Sequence, residues 1–273
     1  MFTKSSRKLI CFLLSLLMVF GICIFAGSTL VRATLCSKDY MDVFISSDKV
    51  AAYCDSSYNA RIAVLAENSG IPVRVFEVAD DVSGYSETVV SRFYSGSDTT
   101  IFTQDKIESY EKLIKEYLDG NEIAYNEPQI HSTAVRAAEI YSDSYGMKNL
   151  DSLKVFVDNV ISNYGRVSSG GLAILMIAAA LIFAMYSDNK KTVKYYTSVF
   201  TASGLSFIFI GIAGIIVSLG NGKNITPAVY GDAIFSAVDC MFAILIISGM
   251  LVTAVSTVAA LRHNKLTKKT RNR

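Results

Sequence analysis

The sequence predicts an α-helical membrane protein with four transmembrane helices and a mainly α (alternatively α+β) extracytoplasmic domain between spans one and two. Four apolar runs contain no Lys, Arg, Asp or Glu: 9–31, 171–186, 199–219 and 242–261. Runs of about 20 residues let a helix cross about 30 Å of hydrocarbon. A long polar stretch follows the first run, and basic residues flank the runs in a fixed pattern. These observations together indicate a multispan protein with one large loop domain.

The runs and the stretches between them predict nine segments. They are a cytoplasmic tail (1–8), transmembrane helix one (9–31), the extracytoplasmic domain (32–169), transmembrane helix two (170–186), a cytoplasmic link (187–196), transmembrane helix three (197–219), an outer link (220–238), transmembrane helix four (239–261) and a basic cytoplasmic tail (262–273). Span one has two interpretations, an uncleaved anchor or a signal peptide cleaved near Arg32. Its apolar run exceeds the 7–15 residues of a signal-peptide core, which favours the anchor.

Basic residues predict the orientation. Lys and Arg concentrate in the N-terminal tail, in the link between spans two and three, and in the C-terminal tail, whereas the link between spans three and four carries only Lys223. Short cytoplasmic segments hold an excess of Lys and Arg. We therefore expect a multi-pass protein of the plasma membrane with both termini cytoplasmic.

The net charge of +2 hides a division along the chain. Residues 32–169 hold 13 basic and 21 acidic side chains, a net charge of −8, and the remainder carries +10. The basic tail serves as a topology signal or contacts anionic lipid or a cytoplasmic partner. Nucleic-acid binding is not predicted, because a short basic tail is common after a last span.

Small residues in the last two spans predict close helix packing. Gly204, Gly211 and Gly214 fall on one face of span three, and Gly249 begins a similar stripe in span four. No ionisable residue lies at the centre of a span, which counts against a self-contained coupled transporter. Asp239 is expected in the outer interface or, alternatively, in a buried polar role.

Apolar periodicity predicts a helical outer domain. Helices are expected at 57–68, 103–118, 132–145 and 150–164, and 73–78 is either a short strand or the start of a helix. Leu113, Phe156 and Val160 are expected in the core. The run Ser168-Ser169-Gly170-Gly171 is expected to be a hinge before span two.

Tyrosines and cysteines leave two questions open. Eleven of the 15 Tyr lie in the predicted domain, either as core residues or as a surface for a cationic peptide or a sugar. Cys36 and Cys54 are the only cysteines outside the spans and either form a disulfide or stay separate.

No pattern of catalytic, cofactor-binding or metal-binding residues is present, so we predict a protein that is not an enzyme and needs no cofactor. The two histidines, His131 and His263, cannot form a paired-histidine metal motif on one side of the membrane. The acidic turns at 80–81 and 119–122 lack calcium-loop spacing. Asn224 begins a formal glycosylation sequon on the outer link.

Two resemblances add to these expectations. The stretch 66–72, which reads AENSGIP, precedes Val75-Phe76 and resembles a pattern in uncharacterised four-span membrane proteins of Gram-positive bacteria, which implies a bacterial cell-envelope protein and no activity. The topology is similar to that of the mechanotransmission ABC permeases, which implies a partner ATPase inside and an outer domain that the ATPase moves. The link 187–196 departs from that family because it lacks a basic, Gly-ended coupling segment.

The functional expectation is a non-enzymatic envelope protein whose outer domain binds a partner or ligand. The alternative is a permease subunit of an ABC-type or other transport complex that works with a separate ATPase. The expected partners are the lipid bilayer, another protein and a second copy of the chain.

Overall fold

The computed structural model describes residues 4–77, 82–95, 104–186, 189–218 and 225–271. Within these ranges the fold is helical and contains no β-strand, which confirms the predicted α class. The helices are α1 (Lys4–Ala33), α2 (Lys38–Ile45), α3 (Asp48–Ser69), α4 (Val82–Ser95), α5 (Gln104–Gly120), α6 (Glu127–Tyr145), α7 (Asp151–Met185), α8 (Asn189–Ser218) and α9 (Ala228–Arg271), with a 3₁₀-helix at Val73–Val75. The strand considered for 73–78 is wrong up to residue 77, because Pro72 leads into that short 3₁₀ turn.

The chain divides into two compact units. The four-helix unit comprises Met1–Ser37, Val155–Gly220 and Ala237–Arg273, and the helical domain comprises Lys38–Lys154 and Asn221–Ser236. Helices α7 and α9 contribute residues to both units.

Four helices are long and apolar enough to cross a membrane, so the chain has the composition of a multi-pass membrane protein. Their apolar portions lie within Ser5–Ala33, Asp151–Met185, Lys191–Ser218 and Ala228–His263. Only 17% to 28% of the residues in their most apolar stretches are buried, as expected for helices that lipid surrounds. All four predicted spans are therefore present as helices.

Close helix contacts set the register within the four-helix unit. Helix α1 pairs with α7 from Cys11, whose Sγ lies 3.9 Å from Met185 Sδ, to Gly21, which meets the backbone of Leu175. Helix α8 pairs with α9 from Thr201, whose hydroxyl is 2.8 Å from that of Ser256, to Ser218 near the other end. A buried cluster joins α1, α7 and α8: Leu14, Met18, Ala178, Ile182 and Val199.

The expected hinge at 168–171 is wrong, because α7 runs unbroken from Asp151 to Met185. The small residues there serve helix packing instead. A Cβ atom on Gly171 would lie 2.9 Å from the backbone nitrogen of Phe25 and 3.0 Å from the carbonyl oxygen of Gly21. Glycine at this position lets the backbones of α1 and α7 approach closely.

The core of the helical domain lies between α3, α5 and α6, and α2 packs against α4. The buried face of α3 repeats every four residues, as expected for a helix that packs along one side: Val50, Cys54, Tyr58, Ile62 and Ala66. The buried residues of α5 are Ile107, Tyr110, Ile114 and Leu118.

Two of the three residues expected in the core are exposed. Leu113 is 37% exposed and Phe156 is 44% exposed, while Val160 is half-buried. Each exposed residue precedes a buried one, Ile114 or Val157, and one helical step of about 100° turns it out of the packed face. At these positions the buried residue is therefore the one that follows the residue expected in the core.

The segment before span four belongs to the helical domain, whereas the sequence predicts only an outer link there. The Lys148 amide donates to the Thr226 carbonyl over 2.8 Å, and the Thr226 amide returns the bond over 3.4 Å. Tyr230 has no exposed surface, and Val229 and Ile234 are also buried. Residues 225–236 therefore supply core side chains to the domain.

Candidate functional site

An open cleft of about 130 Å³ lies at the corner between α5 and α6. Helix α5 ends at Gly120, and Glu122 takes a left-handed backbone conformation with φ of 55°, which reverses the chain. The Ile123 amide donates back to the Leu118 carbonyl over 3.0 Å. Helix α6 then begins at Glu127, with proline in its first turn as the fixed φ of proline favours.

The cleft combines an apolar floor with a polar wall. It is lined by Ser69, Ile71, Leu118, Ile123, Ala124, Tyr125, Asn126, Gln129, Ile130 and Thr133. Ile71, Leu118 and Ile130 are buried. The side chains of Ile123 and Tyr125 are 45% and 40% exposed, so they project from the rim. Such a cleft can take an apolar group together with hydrogen-bonding groups.

Acidic residues outnumber basic ones around the rim, next to the residues that line the cleft. Asp119, Glu122 and Glu127 are exposed in this turn. Lys115 Nζ lies 2.7 Å from Glu127 Oε2 and compensates one of these charges. Partial desolvation and a hydrogen bond to Asp119 raise the pKa of Tyr125. The rim is therefore negative and favours a cationic ligand.

A cluster of buried tyrosines lies in the core between α3, α5 and α6. The Tyr58 hydroxyl donates to the Phe76 carbonyl over 2.6 Å, so Tyr110, whose hydroxyl is 2.7 Å away, must donate to Tyr58. Burial raises the pKa of Tyr58 to about 12 and raises the pKa of Tyr110 further. Both hydroxyls therefore stay neutral at physiological pH and act as structural donors.

The same cluster extends along α6. The rings of Tyr141 and Tyr145 have centroids 4.8 Å apart, and Tyr58 packs against both. The Tyr145 hydroxyl donates to Asp55 Oδ1 over 2.8 Å. Burial is the larger cause and this hydrogen bond the smaller cause of the raised pKa of Tyr145. These four tyrosines are buried, whereas Tyr53 and Tyr125 are exposed.

Cys36 and Cys54 are buried free thiols in the structure. The Cys54 thiol donates to the Tyr230 hydroxyl over 3.7 Å, and burial raises the pKa of Cys54. Cys54 therefore packs as a core residue with a weak hydrogen bond.

The four glycines singled out in spans three and four all lie at the contact of α8 with α9. A Cβ on Gly204 would lie 2.7 Å from the Gly249 carbonyl, and one on Gly249 would lie 2.5 Å from the Gly204 carbonyl. A Cβ on Gly211 would meet Ile246 and the Phe242 carbonyl, and one on Gly214 would meet the Phe242 ring. Near the end of the same contact, the Ser218 hydroxyl donates to Asp239.

Other residues considered for chemistry do not assemble into a site. His131 pairs with Glu111 on the domain surface. Across the described ranges, no group of three or more His, Cys, Asp and Glu side chains could hold a metal ion. The acidic pair 80–81, Lys223 and Asn224 lie outside the described residues.

Sequence reasoning missed the cleft. Its local signal was the turn 120–128, where Gly120 ends one helix and Pro128 opens the next. The contribution of Ser69 and Ile71 comes from tertiary packing and has no local signal.

No protein-family model matches this chain, and neither does any curated protein or solved structure. The functional conclusion therefore depends on the chain's own geometry and charge.

Proposed function

We propose that the chain is a non-enzymatic protein of the bacterial cell envelope, anchored by four spans, whose helical domain binds a cationic partner outside the membrane. The partner docks in the cleft between α5 and α6. Both termini lie in the cytoplasm, and the domain between spans one and two faces outward.

The orientation is supported by the register of the four helices. Ser256 of α9 pairs with Thr201 of α8, and the two helices run antiparallel. Arg262, six residues after Ser256, therefore lies level with Tyr195 and close to Lys194. Continuing α1 back from Cys11 brings Arg7 to the end of α7, near the start of α8. Basic residues from three segments thus share one end of the unit, and such residues favour the cytoplasmic side.

The observation that carries the binding function is the cleft with its negative rim. An apolar floor and amide side chains at Asn126 and Gln129 line the cleft. Exposed carboxylates at Glu122 and Glu127 lie beside it in the same turn, so the surface suits a partner segment with apolar and basic side chains. The domain also has a net negative charge, which steers basic partners toward it.

Binding of a labelled peptide of alternating Lys and Leu to the full-length protein in neutral detergent tests this function. We expect binding that weakens as salt rises from about 0.05 M to about 0.3 M, because the Debye length falls from roughly 14 Å to roughly 6 Å. A peptide of alternating Glu and Leu, matched in length, should not bind.

The double variant Glu122→Gln/Glu127→Gln should weaken binding. Its matched control, Asp105→Asn/Glu108→Gln, removes the same charge at the far end of α5, about 20 Å away by helix rise, and should bind as the unaltered protein does. Equal effects of the two double variants would show that overall charge, and not the cleft, attracts the peptide.

The orientation has a separate test. A cysteine placed at Lys265 should react with a membrane-impermeant probe only after the cells are opened. Reaction in intact cells would reverse the topology. If the protein binds neither peptide but copurifies with an ATPase, the permease-subunit function replaces the one proposed.

A further inference from the structure

Basic residues from three helices gather at one end of the four-helix unit. Arg7 and Lys8 lie in the first two turns of α1, and Lys191 and Lys194 lie in the first two turns of α8. Arg262 reaches the same level on α9 through the pairing of Ser256 with Thr201. Their side chains are exposed.

Arg7 and Lys191 flank the end of α7. Arg7 precedes Cys11 by four residues and so shares its helix face, and Cys11 Sγ contacts Met185 at the last turn of α7. On the other side, Lys191 Nζ lies 5.9 Å from the ring centroid of Tyr186, the residue that follows α7. Two cations from different helices therefore lie level with the end of α7.

Aromatic residues fix this region at an interfacial depth. The rings of Tyr186 and Tyr195 stack with centroids 5.4 Å apart and an interplanar angle of 23°. The Tyr196 hydroxyl donates to the Ala179 carbonyl over 2.8 Å. Tyrosines concentrate where a membrane meets water, because the ring is apolar and the hydroxyl is polar. We therefore expect the cations to lie at the depth of lipid headgroups.

Apolar side chains continue from this region along the helix surface. On α1, Leu9, Phe12 and Leu16 are each more than half exposed, and they follow directly after Arg7 and Lys8. Helix α7 ends and α8 begins here, so the opposite ends of their dipoles offset each other and the side-chain cations supply the positive field. In a ligand with an anionic head and long apolar chains, the head would match the cations and the chains would match the exposed apolar face of α1.

We infer that Arg7, Lys191 and the Tyr186–Tyr195 pair form a binding site for the phosphodiester headgroup of an anionic phospholipid. The phosphate lies between the two cations at the end of α7, and the acyl chains lie along the exposed face of α1. The exposed apolar face favours a lipid over free phosphate, which would use only the polar part of the site.

Titration of the full-length protein in neutral detergent with phosphatidylglycerol tests the inference, with thermal unfolding as the readout. Phosphatidylcholine with the same acyl chains and inorganic phosphate are separate arms. We expect stabilisation by phosphatidylglycerol alone. Arg7→Gln/Lys191→Gln should weaken its apparent affinity by about 25-fold, since each cation near an anionic lipid surface contributes roughly fivefold.

Two further variants separate the site from overall charge and from folding. Arg32→Gln/Arg166→Gln removes one cation from the last turn of α1 and one from the middle of α7, both far from the proposed site, and should keep the original affinity. Arg7→Lys/Lys191→Arg should also keep it. Equal stabilisation by phosphatidylcholine, equal stabilisation by inorganic phosphate, or equal losses in the two glutamine variants would each overturn the inference.

Discussion

The Tyr230 hydroxyl donates a hydrogen bond of 2.8 Å to the backbone carbonyl of Tyr145, which joins the segment before span four to the last turn of α6. The residues are 85 positions apart. The same hydroxyl accepts a hydrogen bond from the Cys54 thiol of α3. One fully buried side chain therefore ties three parts of the helical domain together, and one of them comes from beyond span three.

Tyr230→Ala should destabilise the helical domain by about 3–5 kcal/mol, because removing a buried aromatic ring leaves a cavity. Tyr230→Phe keeps the ring but leaves the Tyr145 carbonyl without its donor, so we expect about 1–3 kcal/mol. Denaturant unfolding of the full-length protein, followed by near-ultraviolet circular dichroism, measures both. The exposed Tyr53 supplies the control, and Tyr53→Phe should change little. A neutral Tyr230→Ala would refute the role of this residue in the core.

Residues 37–165 expressed alone should form a helical fragment that lacks one wall of its core. The fragment omits Val229, Tyr230 and Ile234, all of which are buried in the domain. Joining residues 225–236 through a flexible linker should raise its unfolding midpoint. A matched fusion that carries Tyr230→Ala should give little of this gain. Equal midpoints for the fragment with and without the segment would contradict the prediction.

Two neighbouring residues of α5 should differ sharply in their contribution to stability. Ile114 has no exposed surface, so Ile114→Ala should cost about 2–5 kcal/mol. Leu113 is 37% exposed, so Leu113→Ala should cost clearly less. Unfolding free energies of the two variants test the assignment of the buried face, and a larger loss for Leu113 would reverse it.

The sequence predicts the four spans and the helices α5 and α6 because their signals are local, but it misses α2, α4 and the first part of α3. The absence of charge marks the spans, and apolar stripes mark α5 and α6. The edge of an apolar stripe is harder to place. Leu113 and Ile114 are both large aliphatic residues, and only packing decides that Ile114 is the buried one. The burial of Tyr230 and the cleft at Ile71 come from contacts distant in sequence, which periodicity does not encode.

Adjacent glycines in α7 should respond oppositely to alanine. A Cβ on Gly171 would press against backbone atoms of Phe25 and Gly21, whereas one on Gly170 would meet no atom within 4 Å. Gly170→Ala should stabilise the protein by about 0.5–1 kcal/mol, because alanine is the better helix former. Gly171→Ala should destabilise it by separating α1 from α7. Thermal unfolding in detergent measures both, and equal shifts would argue against close packing at Gly171.

The tyrosine cluster should make the helical domain sensitive to alkaline pH. Burial raises the pKa of Tyr58 to about 12, above the ordinary value near 10. A raised pKa means that folding favours the neutral hydroxyl, so this stabilisation is complete below about pH 10 and is lost as pH rises toward 12.

Tyr58→Phe should remove part of that dependence, because phenylalanine does not ionise. It should also lower stability at neutral pH, since the Phe76 carbonyl loses its donor and Tyr110 loses its acceptor. Unfolding free energies measured from pH 8 to the onset of alkaline unfolding test both effects. Parallel pH curves for the two proteins would show that Tyr58 ionises equally in the folded and unfolded states, which would contradict the proposed effect of its burial.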